Sequence, residues 1–229
     1  MARTLAAGPV PAAQLEDQVK IAIIGAGNVG GALGSLWAGK GHEIVFGVRD
    51  TNDSRLQELL KSAKGKARAA SVKEAAAFGE VVVFATPWPA THDAIDSAGS
   101  LAGKIVVDCT NPLLPDLSGL ALGTTNSAGE EVGRWAKGAK VVKAFNTIGA
   151  PNFSKPRFGS ENASMFICGD DASAKAAVSK LAAELGFDVV DAGPLSASRL
   201  LEPLAMLWIH LAYKQGLGPN NHAFKLLRR

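Results

Sequence analysis

The junction between the apolar run Val19 to Ile24 and the segment Gly25-Ala26-Gly27-Asn28-Val29-Gly30 constrains this chain more than any other feature. An apolar run of that length marks a strand buried on both faces of a parallel sheet. The glycines follow it directly, and Val29 to Trp37 then repeats apolar side chains at helical spacing. A glycine loop between a strand and a helix is the turn of a βαβ unit that binds a dinucleotide. Gly25 permits the tight turn, Gly27 lets a pyrophosphate approach backbone N–H groups, and Gly30 lets the helix lie close to the strand. The helix N-terminus, with Asn28 and Val29, offers unpaired donors and a partial positive charge to the phosphates. A glycine-rich turn that binds nothing is the alternative.

The rest of the chain keeps the same alternation. His42 to Phe46, Ala67 to Ala70, Val81 to Ala85, Ile105 to Asp108 and Lys140 to Phe145 read as strands. Asp53 to Lys61, a helix capped by Ser71, and Asn126 to Trp135 read as the helices between them. After a connecting loop over Pro151 to Asn162 comes a further strand-helix-strand unit, Met165 to Cys168, Ala172 to Leu185 and Phe187 to Asp191. A helix from Ser198 to about Gln215 and a polar, glycine-broken tail complete it. This pattern predicts an α/β fold, a doubly wound, mostly parallel sheet with a small C-terminal α/β-helical appendage. It divides into a flexible extension (residues 1–17), a dinucleotide-binding domain (18–150) and a small C-terminal domain (151–229) that bears the second-substrate side and a dimer contact.

Cofactor choice is read where the second strand ends. An NAD-specific site places an acid there for the ribose 2′-hydroxyl; here the strand runs into Gly47-Val48-Arg49-Asp50, and Arg49 suits a 2′-phosphate. That favours NADP(H). Asp50 weighs the other way unless it caps the next turn or pairs with Arg49 or Arg55, and Arg49 read alone is also compatible with an unliganded surface arginine. Ligands of such sheets bind beyond the carboxyl ends of the strands. Thr86-Pro87-Trp88, Thr110-Asn111-Pro112 and Asn146-Thr147-Ile148-Gly149-Ala150 should converge there, although a proline after a strand is also a plain stop signal.

Composition narrows the function classes. A net charge of +3 over 229 residues, with no basic run, does not suit nucleic-acid binding. The apolar stretch Leu204 to Tyr213 carries His210 and is about half the length needed to cross a bilayer. The two cysteines, Cys109 and Cys168, close no disulfide or metal motif, and the expected compartment is a reducing cytoplasm. No nucleophile, paired carboxylates or metal ligands present themselves, and His92 reads as a solvated or capping residue. Hydride transfer between stacked rings needs alignment and water exclusion more than acid–base groups. Reduction of a small carbonyl or imine, and a non-catalytic NADP(H)-binding redox sensor, remain open beside it.

On these residues the chain resembles the NADP oxidoreductases that use the deazaflavin coenzyme F-420, and is similar to the cytosolic domain of the six-transmembrane metalloreductases. The resemblance runs from about Lys20 to the C-terminus. It is carried by Ile24 to Gly30, His42 to Arg49, Thr86-Pro87-Trp88, Gly103 to Asp108 with Asn111-Pro112, Val142-Lys143-Ala144-Phe145-Asn146, Cys168-Gly169-Asp170 and Asp191 to Ser196. It implies two rings stacked in a cleft, with hydride passing directly between nicotinamide and coenzyme F-420, or FMN or FAD. It further implies that Arg49 meets the 2′-phosphate and that Thr86 and Pro87 line the nicotinamide. Asn146, Thr147 and Ile148 would sit beside the reacting rings, with Ser196 and Arg199 near the second substrate. Arg199 is a candidate anion contact, or a helix-to-sheet ion pair. Val48 stands where the family often has serine. Asn146 follows the metalloreductase branch, where the deazaflavin enzymes tend to have histidine. The large apolar residues Leu200, Leu201, Leu204, Leu207, Trp208 and Leu211 predict a core helix or a homodimer contact.

Overall fold

A computed structural model describes residues 18–63 and 66–229. The expected extension over residues 1–17 lies outside the described residues. Strand β1 (Lys20–Ile24) leads through the glycine loop into α1 (Asn28–Lys40), followed by β2 (Glu43–Gly47), α2 (Ser54–Ser62), β3 (Ala67–Ala70) and α3 (Val72–Phe78). Then come β4 (Val81–Phe84), α4 (Thr91–Ala98), β5 (Ile105–Asp108), α5 (Ala128–Trp135) and β6 (Lys140–Lys143). The segment expected as a loop carries a hairpin of two short strands, β7 (Arg157–Phe158) and β8 (Glu161–Asn162). The chain closes with β9 (Ser164–Gly169), α6 (Ala172–Glu184), β10 (Asp188–Asp191) and α7 (Ser198–Ile209). The last helix turns π-helical at His210–Lys214, short of one regular helix to Gln215.

The eight long strands form one sheet in the order β10-β9-β6-β5-β4-β1-β2-β3. Its pairs are parallel except for β6 with β9, which run antiparallel with Lys143 opposite Cys168. The sheet is a doubly wound Rossmann-like one, and the order reverses between β1 and β4, the switch point where such sheets bind ligands. Side chains alternate across it. Ile21, Ile23, Phe46 and Val83 join the core under α1 and α6, while Ala22, Ile24, Val82 and Phe84 join the core under α3, α4 and α5.

Local chemistry sets the element ends. Asp53 caps α2 by accepting from the Arg55 and Leu56 N–H groups, and Ser71 with Glu74 forms a reciprocal capping box on α3. Trp37 of α1 is fully buried and its Nε1 donates to the Leu181 carbonyl of α6 at 3.2 Å, tying the two helices on that face. His42 is buried too: its Nδ1 accepts from the Val19 N–H at 3.1 Å and its Nε2 lies 2.8 Å from Glu184. The tail is not loose. Trp208 Nε1 donates to the His222 carbonyl, Asn152 Nδ2 to the Pro219 carbonyl, and the Ser164 N–H to the Phe224 carbonyl. Among the described residues no helix is long and apolar enough to cross a membrane.

Candidate functional site

The glycine loop closes on β4. Gly25 has φ 103°, a left-handed conformation, and a Cβ there would lie 2.8 Å from the Ala85 carbonyl oxygen. A Cβ on Gly30 would come within 2.0 Å of the Gly25 carbonyl oxygen, so only glycine lets α1 start so close to the strand. Gly27 is different: a Cβ there meets nothing within 4 Å, and the loop backbone faces open space. Helix α1 has no side-chain cap and no acidic residue in its first turn. Its N–H groups and dipole therefore face a cradle suited to phosphate. Asn28 is exposed at the helix start and Val29 packs partly against the core.

This cradle opens into a cleft of about 760 Å³ that runs from β2 to β4 and is lined by Gly25, Gly27, Asn28, Arg49, Thr86 and Pro87, among others. Arg49 is exposed on its wall, with no hydrogen bond or ion pair to the other described residues. Asp50 accepts from the Asn52 N–H at 2.8 Å, and Asp53 caps α2, so both acids beside Arg49 are engaged with backbone. Arg55 also lines the cleft. The sequence-based expectation makes it only a partner for Asp50, although a second cation in the first turn of α2 is a signal in its own right.

Across the cleft, the Thr86 hydroxyl is 2.9 Å from that of Thr91, and the Thr91 hydroxyl reaches the Pro87 carbonyl at 3.2 Å. These bonds fix the turn between β4 and α4. Trp88 stands just beyond, half-buried, its ring stacked on Trp135 at 5.2 Å; His92 covers the same tryptophan at 4.4 Å.

At the ends of β5 and β6, Asn111 and Asn146 clasp one another. Asn111 Nδ2 donates to the Asn146 carbonyl at 3.0 Å, while Asn146 Nδ2 donates to Asn111 Oδ1 at 3.0 Å and to the Leu201 carbonyl at 3.3 Å. Both Asn146 amide protons thus face acceptors, which fixes the amide's orientation. Asn146 Oδ1 and Thr147 Oγ1 are buried and have no protein partner. Buried polar atoms are ordinarily paired, so these two stand out, but Asn111, Asn146, Thr147, Ile148, Ala150 and Trp88 are not among the residues that line the cleft. The preceding residue, Phe145, holds φ 60°, a strained conformation for a bulky side chain, and is clamped edge-on by Trp37, Phe153 and Phe187. Ile148 is buried with the core, and Ala150, partly buried against it, begins a short 3-10 turn.

An ionic cluster outside the sequence-based expectations lies behind this pair. Lys143, Asp108 and Glu202 are all buried, with Lys143 Nζ 2.6 Å from Asp108 and 2.9 Å from Glu202. Burial opposes the ammonium charge, but Asp108 and Glu202 outweigh it and hold the Lys143 pKa above its ordinary value. A raised lysine pKa contributes stability below the ordinary value that is lost only as pH rises through the higher folded one, so the Lys143 ammonium stays charged at neutral pH. Removing one partner of such a cluster costs about 3–5 kcal/mol. The one signal is a lysine closing an apolar strand. Both thiols are inert at neutral pH: burial pushes Cys168 up to about 11, and pushes Cys109 up as well.

Ser196 and Arg199 are not brought to this site. Ser196 lines a second cleft, of about 670 Å³, with Lys140, Val141 and Asp170, at the amino end of β6 and so on the opposite edge of the sheet. Arg199 is bonded to Glu130 of α5 at 2.6 and 2.8 Å, a helix-to-helix ion pair. The antiparallel β9 and its parallel neighbour β10 both end at the amino side of β6, where Ser196 follows, while Arg199 is held by Glu130 at the start of α5.

Residues 20–112 match the family of NADP oxidoreductases, coenzyme F-420-dependent. A crystal structure from Arthrobacter sp. fb24, of a protein assigned by inference as an F-420-dependent NADP-reductase, superposes with a TM-score of 0.83 at 35% identity, covering 92% of this chain and 100% of that one. The metalloreductase STEAP3 of Rattus norvegicus is 34% identical over 195 residues, 84% of this chain, but this chain spans only 38% of that protein's length. A reductive aminase from Aspergillus terreus, solved with NADPH and ethyl levulinate, shares the fold with a TM-score of 0.65 at 20% identity, covering 87% of this chain and 64% of that one. With the glycine loop, the switch-point cleft and a 35% identical relative matched over 92% of its length, the chain belongs to the coenzyme F-420-dependent NADP oxidoreductase family.

Proposed function

We propose that the protein passes hydride between NADP(H) and a stacked deazaflavin, coenzyme F-420, or a flavin, FMN or FAD. The observation that carries this reading is the uncapped α1 N-terminus facing the cradle at Gly27, in a cleft whose wall holds Arg49, which has no partner among the described residues. When bound, the nicotinamide supplies or takes the hydride. Gly25, Gly27, Asn28, Val29 and Gly30 hold the pyrophosphate, and Arg49, with Arg55, holds the 2′-phosphate. Thr86, Pro87, Asn111 and Ala150 bound the nicotinamide half. Asn146 Oδ1 accepts a hydrogen bond and Thr147 Oγ1 gives or takes one beside the reacting rings. Ile148 backs them and excludes water, and Trp88 offers a flat apolar face to the second ring. Ser196 and Arg199 take no part in this account.

A second reading, reduction of a small carbonyl or imine by NADPH, is favoured by the fold shared with the reductive aminase and by the same two bare polar atoms. Anaerobic loss of nicotinamide absorbance, followed in parallel with coenzyme F-420, FMN and FAD, separates the two. Turnover with one of these rings is expected. Silence with all three, together with reduction of a small ketone or imine, would replace this reading with the second.

The partner in solution is proposed to be a second copy of the chain. Leu201 and Trp208 are buried in the protomer, which removes them from the predicted contact, but Leu200 is 71% and Leu207 48% exposed, with Leu204 half-buried between them and Leu211 half-buried one turn beyond. Their spacing places one apolar stripe along α7, suited to the same stripe on a two-fold mate. Light scattering at micromolar concentration should give the mass of a dimer; a monomer mass would end the proposal.

A further inference from the structure

We propose that Lys143 is a positioning residue for the Asn111–Asn146 clasp at the carboxyl ends of β5 and β6, an inference that rests on the cofactor reading above, which sets that clasp beside the nicotinamide. The three protons of its ammonium each have one acceptor: Asp108 Oδ2 at 2.6 Å, the Thr110 carbonyl at 2.8 Å and Glu202 Oε1 at 2.9 Å. Asp108 Oδ1 in turn accepts from the Thr110 N–H at 2.9 Å and its hydroxyl at 2.7 Å. The Glu202 carboxylate also accepts the Ala128 and Gly129 N–H groups at the start of α5, each at 3.0 Å. Every member of the cluster is therefore satisfied and out of water, where charged hydrogen bonds are strong and stiff.

A second set of contacts runs beside this one, displaced by one to three residues on each element. Asn111 follows Thr110, Leu201 precedes Glu202, and Asn146 lies three residues beyond Lys143; these are the three partners of the amide clasp. The ionic contacts draw α7 onto the ends of β5 and β6. The weaker amide contacts, one of them at 3.3 Å, then close at the spacing the cluster dictates. The result is an Asn146 side chain with both amide protons committed and Oδ1 bare. A lysine that only stabilised the fold would affect every ligand of the cleft alike. A lysine that sets the Asn111–Asn146 spacing affects only the half of the cofactor lying against those residues.

The test compares NADP+ with 2′,5′-ADP, which keeps the adenosine and 2′-phosphate but lacks nicotinamide. Both are titrated calorimetrically into the wild type, Lys143→Met and Glu202→Gln. Affinity for 2′,5′-ADP is expected to stay within about twofold throughout, while NADP+ binding weakens about tenfold in Lys143→Met and about threefold in Glu202→Gln. Glu202→Gln keeps the Lys143–Asp108 pair, so it decides the matter if Lys143→Met fails to fold. Equal losses for the two ligands, or no loss for either, overturn the inference alone. A wild type that binds neither overturns the cofactor reading and the inference with it.

Discussion

Alanine at Gly30 is expected to destabilise the protein by about 2–3 kcal/mol and to weaken NADPH binding, whereas alanine at Gly27 should do only the second. The two glycines differ in what surrounds them. At Gly30 the new methyl would sit 2.0 Å from the Gly25 carbonyl oxygen and 3.0 Å from Ile23 Cγ2, so α1 must retreat from β1 even without ligand. At Gly27 the backbone is extended, with φ −75°, and the methyl would occupy space that holds no protein atom within 4 Å. Its cost to the free protein is within about 1 kcal/mol, the difference between glycine and alanine as a helix cap. The same methyl stands where a pyrophosphate must approach. Loss of one charge-assisted N–H contact should then weaken NADPH by about 1.5–3 kcal/mol. Thermal melts with and without NADPH read both effects. A Gly27→Ala protein that binds NADPH like the wild type would remove the pyrophosphate from this loop.

Arg49→Ala should cost about 1–3 kcal/mol in NADPH binding and leave NADH nearly unchanged. The guanidinium is exposed, has no described protein partner and stands on the cleft wall, so removing it strips no interaction from the folded protein. Because the site is open to water, added salt should shrink the NADPH preference in the wild type and have little effect on the variant. Equal losses for NADPH and NADH would mean that Arg49 does not read the 2′-phosphate. Arg55, on the same wall, is the residue to examine next.

Much of this arrangement was legible before any coordinates. Strand β1, the glycine loop and the alternation through β6 are written in apolar runs and breakers, because a strand covered on both faces has little freedom in composition. Ser71 three residues before Glu74 announces its own capping box. The direction of a strand is not written in this way. Residues 164–169 read as a buried strand whichever way they run, and their antiparallel pairing with β6 carries Ser196 to the amino end of that strand, while Arg199 is taken up by Glu130 of α5. Lys143 was hidden for a related reason: a charge at the end of an apolar run looks like the point where a strand meets water. Its partners come from residues 35 and 59 positions away, a separation no local pattern encodes. The tail's docking depends on single carbonyls accepting from Trp208 and Asn152, which leave no compositional trace.

The central claim is that the cleft between β2 and β4 takes NADP(H) and recognises its 2′-phosphate. Parallel fluorescence titrations of the wild-type protein with NADPH and NADH test it most directly. NADPH is expected to bind more tightly than NADH by about 1–3 kcal/mol, a factor of roughly 5 to 150. Equal affinity, or a preference for NADH, would contradict it.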